Sequence, residues 1–288
     1  MANAARGLWV ESQGPALATC IPAPYVYNIP VSWALHGVSI GLWDVGLGLA
    51  VCGQAGLIAY LRKPKAKALV LTFPIPFTIA VLATGRFVDV TNAAGLVVLL
   101  LFTHGVRLLH YSLRVPIVVS IALSAACYCV ISAALASKIP VTEAAFWTVI
   151  GGNVVLAGVL MRLQSPIDEP GYRSPLPLYW KMPLIALVVS VLILLKNVLA
   201  GFMTVFPMVG VIAAYEARHS LHTICRQIPV LMITLSVLMS ICRIVQPFAG
   251  VSWGLVWGWV GFGIAIVWLT PEMRTATGTD TKQAMESE

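Results

Sequence analysis

Apolar residues run along this chain in blocks of about twenty, broken by short polar or basic stops. That is the spacing a hydrocarbon layer roughly 30 Å thick asks of an α-helix. The pattern predicts nine blocks, eight to ten when their ends are allowed to move. The first covers about 34–61, contains Asp44 and stops on Arg62-Lys63-Pro64-Lys65-Ala66-Lys67; the second is 68–84 and carries Pro74 and Pro76. After the connection Gly85 to Asp89 come spans at 93–112, 115–136 and 142–162, the last interrupted by Gly151-Gly152-Asn153. A polar, proline-rich loop runs from Gln164 to Lys181. The remaining spans are 182–196, stopped by Lys196-Asn197, then 198–216 with Pro207, 228–246 and about 251–270. In the final span Trp253, Trp257, Trp259 and Trp268 are placed to act as interfacial anchors. Four prolines break up the first thirty residues, so 1–33 reads as an irregular lead-in, and 271–288 as a disordered polar tail.

Composition agrees with the pattern. Of 288 residues 59% are hydrophobic and 10% charged, with a mean hydropathy of +0.90, whereas a soluble domain carries about 25% charged residues. The expected fold class is therefore all-α, a polytopic transmembrane helical bundle. A net charge of +7 raises nucleic acid as a partner, but no basic tract with interleaved aromatics supports it. Membrane lipids are the expected partners, and a homo-oligomer is compatible with the pattern. The six cysteines include no CxxC pair, so neither a disulfide framework nor a zinc module is indicated. The first residues lack the basic and apolar regions of a signal peptide. With the loop after span one in the cytoplasm, thirteen Lys and Arg fall on the cytoplasmic side and five outside; without Arg107 and Arg243, which lie inside spans, the split is twelve to four. This predicts a cell inner (plasma) membrane protein with its N-terminus outside and its C-terminus in the cytoplasm.

A proline within an apolar span frees backbone groups that need new partners, and matching breaks in two halves of a chain point to a transport site. Shifting the chain by 133 residues pairs Leu61 with Leu194, Lys63 with Lys196, Phe73-Pro74 with Phe206-Pro207 and Ile79-Ala80 with Ile212-Ala213; with a three-residue longer loop Arg107 falls on Arg243. Pro76 has no counterpart, Val209 standing in its place. The paired spans are an odd number apart, which predicts inverted four-helix repeats at 34–136 and 182–270 joined by a linking helix and loop at 137–181. The second half, from Lys196-Asn197-Val198-Leu199-Ala200-Gly201 through Val205-Phe206-Pro207 to Ile212-Ala213-Ala214-Tyr215, resembles the small four-helix GlpM-like bacterial inner-membrane proteins over about 183–270. The resemblance implies a duplicated, fused descendant of such a unit and carries no activity with it. The first half departs from it, with Lys67-Ala68 where Ala-Gly would stand and no matching tyrosine.

Charged residues within spans are costly, which makes Asp44, Arg107, Glu216 and Arg243 the candidate chemistry, beside Pro74, Pro76 and Pro207 as substrate-binding breaks. A second reading puts Asp44 near the outer headgroups. His104, Arg107, His110 and Arg114 recur at three- and four-residue steps and predict one basic helix face, for an anionic substrate or, snorkelling, for lipid phosphates. Glu216, His219, His222 and Cys225 are spaced by three; a continuous helix would bring them towards one side, but a drift of ~60° per step and a loop at Ser220 oppose this. No metal site is assigned, His219 and His222 being its weak candidates. No cofactor motif or ATP-binding loop is present. The expected function is a transporter or permease for a small polar or anionic solute, held between the two Phe-Pro helices. An accessory or structural membrane protein is the alternative. An intramembrane enzyme is disfavoured, because no motif supplies nucleophile, base and metal together.

Overall fold

A computed structural model describes residues 42–61, 63–164 and 201–269, with Glu169, Pro183 and Leu199 besides. The lead-in 1–33, the span 182–196 with its Lys196-Asn197 stop, most of the 164–181 loop and the tail 271–288 lie outside the described residues. Those that are described form helices and no strand. They are α1 (Leu42–Tyr60), α2 (Pro64–Thr72), α3 (Ile75–Thr84), α4 (Val90–Arg107), α5 (Ile117–Ala136), α6 (Glu143–Leu163), α7 (Phe202–Val205), α8 (Met208–Glu216) and α9 (Leu221–Leu269). Among the described residues six helical stretches are long and apolar enough to cross a membrane, α2 and α3 counting together, and Phe202–Glu216 is a shorter apolar one. Leu49, Val130, Val155 and Ile264 are exposed on the outside. Helices apolar on their outer as well as their inner faces suit a lipid surrounding rather than water.

The centre of the bundle is α4, which packs against α5, α6, α7, α8 and α9. Its start is fixed locally. Asp89 Oδ1 accepts from the Thr91 N–H (2.8 Å) and the Thr91 hydroxyl (2.6 Å), while Asn92 Oδ1 accepts from the Asp89 N–H (2.8 Å). This is a capping box, which satisfies orphan amides at the first turn. Asn92 then turns its amide outward and donates to Thr204 Oγ1 (2.7 Å) and Gly201 O (3.2 Å), tying α4 to α7. Asn153 of α6 donates to Ala93 O (2.9 Å) one residue further along. Sequence reading expected Gly151-Gly152-Asn153 to interrupt its span and, failing that, to serve close packing. Neither holds: α6 is continuous, and a Cβ at Gly151 or Gly152 would meet nothing within 4 Å. Asn153, the polar member, makes the tie.

Forty-nine residues of helix would extend about 73 Å at 1.5 Å each, and α9 instead doubles back. Gly250 has φ 82° and ψ 174°, a conformation open essentially to glycine alone. The arms 221–249 and 251–269 correspond to the last two expected spans, the first beginning earlier than expected. They pack closely: a Cβ at Gly254 would stand 2.6 Å from Gln246 Cγ, and one at Gly258 3.0 Å from Cys242 Sγ. The second arm reaches α3, where the Trp259 indole donates to Thr78 Oγ1 (2.9 Å). Trp259 is thus an interhelical tie rather than an interfacial anchor, unlike the exposed Trp253, Trp257 and Trp268.

Backbone approach is tightest where α7 begins. A Cβ on Gly201 would stand 2.1 Å from Thr91 Oγ1 and 2.9 Å from the Asn92 nitrogen, so no rotamer change relieves the overlap. Gly201→Ala is expected to destabilise the protein by about 2 kcal/mol or more, as overpacking does. A lowered thermal midpoint in detergent, beside an unchanged one for Gly152→Ala, checks this.

Candidate functional site

The two Phe-Pro sequences produce the same local backbone. Phe73 (φ −66°, ψ 122°) closes α2 and Pro74 (φ −82°, ψ 35°) opens α3. Phe206 (φ −53°, ψ 135°) closes α7 and Pro207 (φ −72°, ψ 50°) opens α8. In each case the Phe N–H turns back to the carbonyl three residues earlier, Val70 O at 3.2 Å and Met203 O at 3.1 Å. It takes the place of the amide that proline lacks. The two broken helices run antiparallel. Lys67, early in α2, donates to Glu216 O at the end of α8 (3.0 Å), and α3 packs on α7.

Between the breaks lies a cavity of about 70 Å³. Phe73, Pro74, Pro76, Phe206 and Pro207 line it, closed by apolar residues of α4, α8 and α9 such as Phe102, Ala214, Ile228 and Leu235. Three polar side chains reach it: Gln54 from α1, Thr103 from α4 and Thr204 from α7. Gln54 Nε2 donates to Val70 O (2.6 Å) and Phe73 O (3.1 Å), so this amide supports the first break from outside its own helix. The second break is supported from α4 by Asn92 and from α5 by the Tyr128 hydroxyl, which donates to Phe202 O (2.8 Å).

Of the residues expected at the site, Pro74, Pro76 and Pro207 are there. The charged ones are not, since Asp44, Arg107, Glu216 and Arg243 do not line the cavity. Asp44 is buried in the first turn of α1. Glu216 is buried at the end of α8, where the nearly fully buried Lys67 ammonium meets its backbone carbonyl. A cation suits that negative helix end. Arg107 points to His222, Nη1 to Nδ1 3.4 Å. Arg243, which no loop seemed to require, is bound to one: it donates to Val88 O (3.1 Å) and pairs with Glu143, while Gln246 Oε1 accepts the Val88 N–H (3.0 Å). Both backbone groups of a fully buried residue are thus met from α9.

The basic stripe on α4 does not form. The helix widens into a π turn at Leu108–Ser112, and Arg114 lies beyond it at φ 55°. The changed register separates the side chains. His104 bonds Leu100 O, Arg107 faces His222 and His110 bonds Val115 O. The suggested metal ligands also part, because α8 ends at Glu216 and α9 begins at Leu221. Cys225 is buried with its thiol directed at Thr103 O (3.6 Å), and among the described residues no group of three His, Cys, Asp or Glu is arranged for a metal ion.

Sequence reading missed Gln54, Thr103, Thr204 and Glu169. Gln54 carried a signal, as the one amide in an otherwise apolar nineteen-residue helix. Glu169 caps α9, accepting the N–H groups of His222 (3.3 Å) and Thr223 (2.7 Å) and the Thr223 hydroxyl (2.7 Å). A carboxylate is favoured at such a helix start. Compared with protein-family models, curated proteins and solved structures, the chain matches none.

Arg243→Ala strips Val88 O and Glu143 of their partner, and a charged hydrogen bond contributes about 1.5–3 kcal/mol. Thermal unfolding in detergent should show a loss of about that size, mostly retained in Arg243→Lys. An equal loss in Arg107→Ala would contradict the assignment of Arg243, rather than Arg107, as the strut.

Proposed function

We propose that this chain is an integral membrane transporter or permease for a small polar solute, with its site between the broken helices α2–α3 and α7–α8. The observation that carries the reading is the cavity shared by Phe73-Pro74 and Phe206-Pro207, two breaks of matching conformation on antiparallel helices. Broken helices meeting near mid-bundle leave backbone groups beside a solute site that a continuous helix would consume. The same match supports inverted repeats, and with them descent from a duplicated four-helix unit of the GlpM-like kind. It leaves about nine spans as the working architecture. The anionic class is the weaker half of the proposal, because no cationic side chain lines the cavity.

An inner-membrane setting with a cytoplasmic C-terminus fits the distribution of charge. Lys63, Lys65, Arg114, Arg162, Arg218 and Arg226 stand at the end of the bundle where α2, α5 and α9 begin, and Arg86 and Lys138 at the opposite end. The asymmetry is that of the positive-inside rule.

One observation favours the accessory reading instead: the cavity lining is mostly apolar, and Arg243 and Lys67 serve as interhelical ties. Reconstitution separates the two. Purified protein in proteoliposomes should accelerate entry of a small polar solute over protein-free vesicles. Pro74→Ala and Pro207→Ala should each slow it by about threefold or more with unchanged expression, since both restore an amide that would reclaim the backbone carbonyl. Unaltered entry in both variants would sink the proposed site, and no entry of any solute would favour the accessory role.

A further inference from the structure

The polar side chains around the cavity are unequal in what they offer. Gln54 is only 6% exposed, and its Oε1 is buried with no hydrogen-bond partner. The amide cannot be turned over to relieve this, because Oε1 would then face two carbonyl oxygens at the 2.6 and 3.1 Å now spanned by Nε2. The Thr103 hydroxyl donates to Leu99 O (2.9 Å), and the Thr204 hydroxyl to Gly201 O (2.8 Å). Every side-chain donor on the lining is therefore committed within the protein, and what remains are acceptor lone pairs. Backbone donors at the breaks are also depleted. Pro76 has no N–H to give at the start of α3, and the Met208 N–H at the start of α8 is held by Phe206 O (2.7 Å). No charged side chain lines the space.

We infer that the cavity takes a small uncharged hydrogen-bond donor, a solute of a few non-hydrogen atoms bearing N–H or O–H groups, with Gln54 Oε1 as its principal acceptor. A buried acceptor left unmade costs free energy that a donor recovers. An anion would find lone pairs facing it. A cation would enter a chamber without a counter-charge, where burying a full charge is far more costly than burying a dipole. The volume of about 70 Å³ limits the solute to roughly the size of one or two liquid-phase water molecules. This inference rests on the transport reading above and narrows its substrate to the neutral class.

The test is stopped-flow permeation into proteoliposomes of the full chain, with urea as neutral donor, formate as anion and methylammonium as cation. Urea should enter about tenfold faster than into protein-free vesicles, and Gln54→Leu should remove most of that gain, as loss of a specifying hydrogen bond does. Should Gln54→Leu fail to fold, Thr103→Val, which loses only a bond within its own helix, should slow urea by about threefold. Formate or methylammonium entering while urea does not would overturn the inference and leave the transport reading standing. No permeation by any of the three would bring down both. Urea entry equal in the wild type and in folded Gln54→Leu and Thr103→Val would also overturn the inference, reducing Gln54 to a support of the helix break.

Discussion

Everything in this bundle answers to one constraint: backbone N–H and C=O groups in apolar surroundings must find partners. Helices meet it internally except where proline removes an amide. At Pro74 and Pro207 the preceding phenylalanine N–H folds back onto Val70 O and Met203 O, which covers part of the deficit. The rest comes from neighbouring helices. Gln54 covers Val70 O and Phe73 O, Asn92 reaches Gly201 O, and Tyr128 reaches Phe202 O. The polar residues of the interior are placed as supplements to interrupted helices, and α4 occupies the centre because its first turns bind the second break.

The same requirement explains the buried charges. Lys67 serves a helix-terminal carbonyl, Arg243 a loop carbonyl and Glu169 the first amides of α9. Each sits where a run of regular hydrogen bonds ends. Charge in an apolar interior is costly in isolation and acceptable when it closes such an end. The chamber between the breaks, by contrast, is bounded by uncharged groups.

Much of the architecture was legible in the sequence, because apolar length sets helix length and proline and glycine mark the interruptions. The Phe-Pro pair, the connection Gly85 to Asp89 and the separate arms 228–246 and 251–270 all have counterparts. The site was less legible. Candidates chosen for bearing charge fell away from the cavity, since a charged residue in a span signals a partner without saying whether that partner is solute or backbone. Arg243 and Val88 are 155 residues apart, and no local pattern brings them together. The stripe from His104 to Arg114 failed for a local reason, a π turn that inserts extra rotation into a 3.6-residue period. Gln54 was overlooked because a neutral amide among apolar residues draws less notice than an acid.

The two breaks share a backbone but differ in how firmly they are held. At the second, Asn92 and Tyr128 converge from two helices, Thr204 adds its own bond to Gly201 O, and a Cβ at Gly201 would overlap Thr91. At the first, Gln54 alone spans Val70 O and Phe73 O, and Phe73 is partly exposed. Pro76 further removes the amide that Thr72 O would otherwise receive, whereas Val209 at the matching position keeps one. A rearrangement of the bundle around these hinges therefore costs less at Phe73-Pro74. A solute engaging Gln54 would act on the one side chain that holds that hinge. The asymmetry of the halves lies in their supporting side chains, and it places the solute-facing acceptor and the weaker hinge on the same residue.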